Sequence, residues 1–117
     1  DIQKALFSFE RTNTRAGLEI ATRIHGLGIA GASGLLSILF PNHFGTVDQF
    51  VVKALLNIRE LKDREQLLRM QPESLTLKDG ILLEQILYAK AEELNQLFQT
   101  DKWTPRKIDK VLWAYRE

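Results

Sequence analysis

From Ile24 to Val47 the chain carries no Asp, Glu, Lys or Arg, and this uncharged stretch limits its folding options more than any other feature. Such a segment belongs in a membrane or in a protein core. Its apolar part, Gly26 to Phe40, is 15 residues long, whereas a spanning helix needs roughly 20. It opens on Gly26-Leu27-Gly28 and stops at Pro41-Asn42-His43. We read it as a buried helix preceded by a turn, with no membrane contact. A core is within reach: the whole chain has 117 residues, 44% hydrophobic and 26% charged, as one ordinary globular domain does. No cysteine is present, which excludes disulfides, Cys-ligated zinc and iron–sulfur clusters. The mixed polar opening Asp1-Ile2-Gln3-Lys4 lacks the character of a signal peptide, so an intracellular location is expected. The start at Asp1 without a methionine leaves a fragment of a longer protein as a further expectation.

Helical periodicity recurs and strand alternation does not, so an all-α domain spanning 1–117 is expected. Ile2, Ala5, Leu6 and Phe9 line one helix. Thr12, Asn13 or Thr14 can cap the next, whose inner face is Leu18, Ala21 and Ile24. A turn over His25 to Ile29 precedes a helix over Ala30–Phe40, with Ala32, Leu35, Leu36 and Leu39 inward. Asp48 stands at the N-cap of a helix carrying Val51, Val52, Leu55 and Leu56. A charged helix is expected over Ile58–Met70, with Leu61, Leu67 and Leu68 inward, until Pro72 breaks it. Thr76 and Asp79 form a variant capping box for a long helix to about Phe98, with Leu82, Leu83, Ile86, Leu87, Ala89, Leu94 and Leu97 facing the core. Thr104 and Pro105 start a last helix, lined by Ile108, Val111, Leu112 and Tyr115. The hairpin core is expected over about 14–58 and the C-terminal helices over about 75–117.

The chemistry-bearing segment is Ile24-His25-Gly26-Leu27-Gly28-Ile29-Ala30, followed by Gly45-Thr46-Val47-Asp48. Glycines here allow positive φ and expose backbone amides. At the head of a helix those amides and the macrodipole favour an anion, and a DNA phosphate is a natural one. The plain alternative is a helix C-cap glycine beside a packing glycine.

In their order, the hairpin, the Ala32-Ser33 pair, the apolar helix, the proline-bearing loop and Val47-Asp48 resemble the core of the helix–hairpin–helix DNA glycosylases, which include the 8-oxoguanine glycosylases. Asp48 stands 20 positions beyond Gly28, the family's spacing, and the resemblance is best over Ala21 to Leu56. It implies a helical bundle that holds a phosphate of double-stranded DNA on His25, Gly26, Leu27, Gly28, Ile29 and Ala30, with a monovalent cation bridged at the hairpin. It implies Asp48 as the catalytic carboxylate for base excision in DNA repair, acting on a flipped nucleotide. Two departures matter. His25 replaces the family's hairpin proline. Ala30 stands where bifunctional members carry the Schiff-base lysine, so a lysine-type lyase is excluded and a monofunctional glycosylase stays open. The family's second helical subdomain is missing or rebuilt from Leu75 to Glu117. The other reading is a non-catalytic domain that keeps the fold and mediates protein contacts. Asp48 as a simple N-cap would leave the same trace.

Other constellations point nowhere sharper. Net charge is +1, so DNA contact must come from a local site and not from the field of the whole chain. His25 and His43 lie 18 apart without an acidic neighbour in either turn, and no metal site is expected. Phe98, Trp103, Trp113 and Tyr115 read as core before they read as base-stacking groups. Arg11, Arg15 and Arg23, and the run Lys102, Arg106, Lys107, Lys110 and Arg116, are candidates for phosphate contacts if they share the hairpin's face; interspersed acids leave a mixed solvated surface equally open. Glu84, Glu92, Glu93 and Gln96 line the long helix with no partner carboxylate in sight.

Overall fold

A computed structural model describes residues 1–24 and 26–114. Among these the structure is helical without strands: α1 (Ile2–Ser8), α2 (Thr14–Ala21), α3 (Ile29–Leu39), α4 (Gln49–Leu56), α5 (Arg64–Arg69), α6 (Leu77–Leu97) and α7 (Pro105–Ala114). None of these helices is long and apolar enough to cross a membrane.

The starts follow from local chemistry. Each helix leaves its first amides without internal partners, and at most of the starts a polar side chain takes one or two of them, α3 and α5 being the exceptions. Asp1 accepts from the Lys4 amide at 2.9 Å and Asn13 from that of Ala16 at 3.0 Å. Thr76 and Asp79 exchange reciprocal bonds at 3.1 and 3.0 Å, so the Asp variant of the capping box works. Thr104 Oγ1 accepts from the Lys107 amide at 3.2 Å, with Pro105 as the first helical residue.

The long helix α6 separates two apolar clusters. One holds Leu6, Leu18, Ala21, Ala32, Leu36 and Phe44 from α1, α2, α3 and the loop after α3. The other holds Val51, Val52, Leu55, Leu67, Leu83, Leu87 and Ile108 from α4 to α7. Leu77 packs against both. Gly80 lets α6 close on the first turn of α3: a Cβ there would stand 2.8 Å from Ile29 Cγ2. Burying each such leucine contributes about 2 kcal/mol. Phe9 and Phe40 meet edge to face at 5.7 Å, and the Arg11 guanidinium lies 4.0 Å over the Phe40 ring while donating to the carbonyls of Phe9 and Phe7. That contact pins α1 to the rest.

Several sequence expectations need correction. The helix expected over Ile58–Met70 is reduced to Arg64–Arg69. Residues 57 to 63 instead make three-residue turns, Ile58 to Leu55 at 3.0 Å and Leu61 to Ile58 at 3.4 Å. The Arg64 guanidinium donates to the Leu56 carbonyl, at the last residue of α4. This short α5 turns Leu67 and the following Met70 inward and leaves Leu68 61% exposed. On α6, Ala89 and Leu97 face solvent, and Ala91 takes the inner place. Phe98 and Trp113 are 63% and 48% exposed, not core; Trp103 does pack inside. Val111 is half exposed, Ile24 falls in the turn after α2, and Tyr115 lies outside the described residues.

Candidate functional site

The turn between α2 and α3 is built from short backbone bonds. The Ile24 amide donates to Ala21 and the Leu27 amide to Ile24. Gly26 has φ +87°, which L side chains rarely adopt, so this glycine is required. Gly28 is the N-cap of α3 at φ −89°, open to any residue, and no side chain caps the helix. Among the described residues no side chain accepts from the first amides of α3. Gly26, Gly28 and Ala30 are exposed and Leu27 is half-buried. Ile29 contributes only its backbone here, because its side chain is buried toward α6. His25 lies outside the described residues.

Beyond α3 the chain runs extended from Phe44, whose ring is fully buried, to Asp48. Side chains from several helices take its amides in succession. Gly45 donates to Glu84 Oε1 at 2.9 Å, Thr46 to Asp109 Oδ2 at 2.6 Å and Val47 to Ser33 Oγ at 2.9 Å. Asp48 Oδ1 then accepts from both Phe50 and Val51 at 3.0 Å, so Asp48 caps α4 as the sequence suggests. Ser33 ties the two halves of the site together, since its hydroxyl also donates to the Ala30 carbonyl in the first turn of α3 at 2.9 Å.

Next to this segment lies a cleft of about 280 Å³ lined by Thr46, Asp48, Arg106, Asp109, Lys110 and Trp113. Asp48 Oδ2 has no hydrogen-bond partner among the described residues. The Arg106 guanidinium bonds to Ser37 Oγ and Thr46 Oγ1 at 3.3 and 3.4 Å and stands 3.8 Å from Asp109 Oδ2. Trp113 meets the Phe50 ring edge to face at 6.4 Å. Burial pushes the Asp109 carboxyl up, helped by the charge of Asp48 and opposed by the Thr46 amide, Arg106 and Lys110. Burial pushes Glu84 up much further, against the Gly45 amide and with the charge of Asp109 adding to it. The cleft thus combines two carboxyl groups, two cations and an indole.

Sequence reasoning singled out Asp48 but left Asp109 among the acids of a mixed surface, and it gave Glu84 no role on the long helix. The signal was there: Glu84 sits on the stripe Gly80, Leu83, Leu87 and Ala91, and Asp109 shares one with Pro105, Ile108 and Leu112. The basic candidates divide. Arg106 and Lys110 line the cleft and Arg23 is exposed one turn before the hairpin. Arg11 is held on Phe40, Arg15 starts α2 beside Glu19 at 4.0 Å, and Arg116 lies outside the described residues. His43 lines a separate cleft with Arg11 and Tyr88. Among the described residues no cluster of His, Cys, Asp and Glu could hold a metal ion. No protein-family model matches this sequence, and no curated protein or solved structure matches the chain.

Proposed function

We propose that the chain binds double-stranded DNA through the turn between α2 and α3, and that Asp48 serves base release there in the manner of a monofunctional, glycosylase-like helix–hairpin–helix domain. The observation that carries this reading is the link through Ser33 between the uncapped start of α3 and the segment that leads to Asp48. A phosphate seated on the amides of Ile29 and Ala30 is favoured by both the free donors and the helix dipole. Asp48 then faces the sugar with a free oxygen and can stabilise the positive charge that grows as the base leaves. Ala30 offers no amine, so the chemistry proceeds without a Schiff base.

A second reading has its own support. Asp48 Oδ1 already holds two amides, and capping alone accounts for an aspartate there. A domain that kept the fold and binds another protein would look the same at this position. Fluorescence anisotropy with a duplex bearing an abasic-site analogue, beside the intact duplex and across a salt series, separates the two. The DNA reading expects binding that prefers the analogue and weakens with salt. Absence of binding at low salt sinks it and leaves the interaction domain.

A further inference from the structure

Asp48 is not the only carboxyl group of its cleft, and the second one differs from it in a way that matters for chemistry. Asp109, on the buried stripe of α7, is 5% exposed yet lines the same cleft. Both of its polar contacts, the Thr46 amide and Arg106, fall on Oδ2. Its Oδ1, like Asp48 Oδ2, makes no hydrogen bond among the described residues. We propose that Asp109 is a second catalytic residue of this cleft, the general acid that protonates the departing base while Asp48 acts on the sugar side. The inference rests on the proposed base-release function.

The division of labour follows from position. Asp48 is half-buried at a helix start, takes two amide donors on Oδ1 and leaves Oδ2 without a hydrogen bond among the described residues, on the side of the cleft. Asp109 is buried on α7, and its burial and the charge of Asp48 both raise its pKa. The Thr46 amide, Arg106 and Lys110 oppose that rise, and Glu84 is itself pushed toward its neutral form. A buried carboxyl group with a raised pKa beside a second carboxyl group in one cleft is a usual arrangement for a paired acid and base. In the step itself the C1′–N bond breaks and its electron pair leaves with the base nitrogen. The Asp109 proton goes to the base. Water forms a bond to C1′ and passes a proton to Asp48. The products are a neutral base and a hydroxyl on the sugar, and solvent restores both carboxyl groups.

The test uses two duplexes, one carrying hypoxanthine and one carrying 7-methylguanine. Hypoxanthine is neutral and needs a proton to leave; 7-methylguanine is already cationic and does not. Asp109→Asn is expected to slow release of hypoxanthine about 10²- to 10⁴-fold, the usual share of a general acid, and to leave release of 7-methylguanine within about twofold. The alkaline fall in the wild-type rate on hypoxanthine should vanish in the variant. Asp48→Asn should slow both. Carboxyl NMR titration gives a readout independent of activity: in Asp48→Asn the Asp109 pKa should move down. Equal losses of Asp109→Asn on both duplexes mean a structural role and overturn the assignment, as does an unchanged rate on hypoxanthine. If the wild-type chain releases neither base, the base-release function fails and the assignment fails with it.

Discussion

Glu84 shows how much one buried atom can decide. Its Oε1 accepts from the Gly45 amide 39 residues away, while Oε2 is buried with no partner among the described residues. Holding a charge there would be costly, so the folded chain keeps the proton to higher pH than the unfolded chain does. Between the ordinary glutamate range, about pH 4.3, and the raised folded value, the native state binds more protons. Stability from this group is therefore fully present at low pH and is lost as pH rises. Glu84→Gln keeps the acceptor for Gly45 and never ionises. Urea unfolding should find it more stable than wild type near pH 8, with the two curves converging toward about pH 4. A constant difference across that range would show that the proton plays no part. Gln99 makes a second case. It follows α6 with φ 51°, and the Thr100 amide closes back on Asn95 at 3.0 Å in a Schellman arrangement. An L side chain pays for this conformation, so Gln99→Gly should raise stability by about 1 kcal/mol, read as a shift in the urea midpoint. Neither feature was visible to local reasoning: the first needs a partner far along the chain, and the second breaks the glycine rule.

At the scale of elements the helix starts were the readable part. Asn13, Asp48, Thr76 with Asp79, and Thr104 all act where residue chemistry places them, because an N-cap needs only neighbours in sequence. The same reasoning failed over 57 to 63, where hydrophobic spacing suggested a helix. There Leu61 packs on the core from a three-residue turn and Leu67 from the short α5, and the Arg64 guanidinium takes up the Leu56 carbonyl. Glycine was read at the hairpin, where Gly26 does need positive φ, but the tightest glycine is elsewhere. A Cβ on Gly45 would stand 2.6 Å from the Pro105 carbonyl oxygen, so the segment before α4 can pass α7 only without a side chain here. Gly45→Ala should cost about 3 kcal/mol, since backbone cannot move aside as a flexible side chain would. Asp48 allows structure and chemistry to be separated at this scale. Asp48→Asn keeps the cap, and its stability should stay within about 0.5 kcal/mol of wild type; Asp48→Ala should lose about 1 kcal/mol. A large loss for Asp48→Asn would mean that the charge itself stabilises α4, and activity losses in that variant could no longer be assigned to chemistry.

For the whole molecule, charge decides what kind of DNA contact is open to it. With a net charge of +1, the field of the whole chain does not pull it onto a duplex, and two cations, Arg106 and Lys110, line the cleft. Arg23 is exposed beside the turn, Lys110 lines the cleft, and Arg106 is already engaged with Ser37, Thr46 and Asp109. In the proposed binding mode the backbone amides at the start of α3 add an anion seat that carries no full charge of its own. Binding to a duplex should therefore release few counterions. The slope of log K against log salt is about −0.9 for each phosphate neutralised, and two to three such contacts place it between about −2 and −3. Arg23→Gln should make that slope shallower by about 1 and weaken binding alike on every sequence, because a phosphate contact positions the duplex and reads no base. Gly26→Ala should act differently: it strains the turn that holds the α3 amides in place, so affinity should fall while the slope stays nearly unchanged. A slope steeper than about −5 would require more cations than this face presents, and would move the duplex to another surface of the molecule.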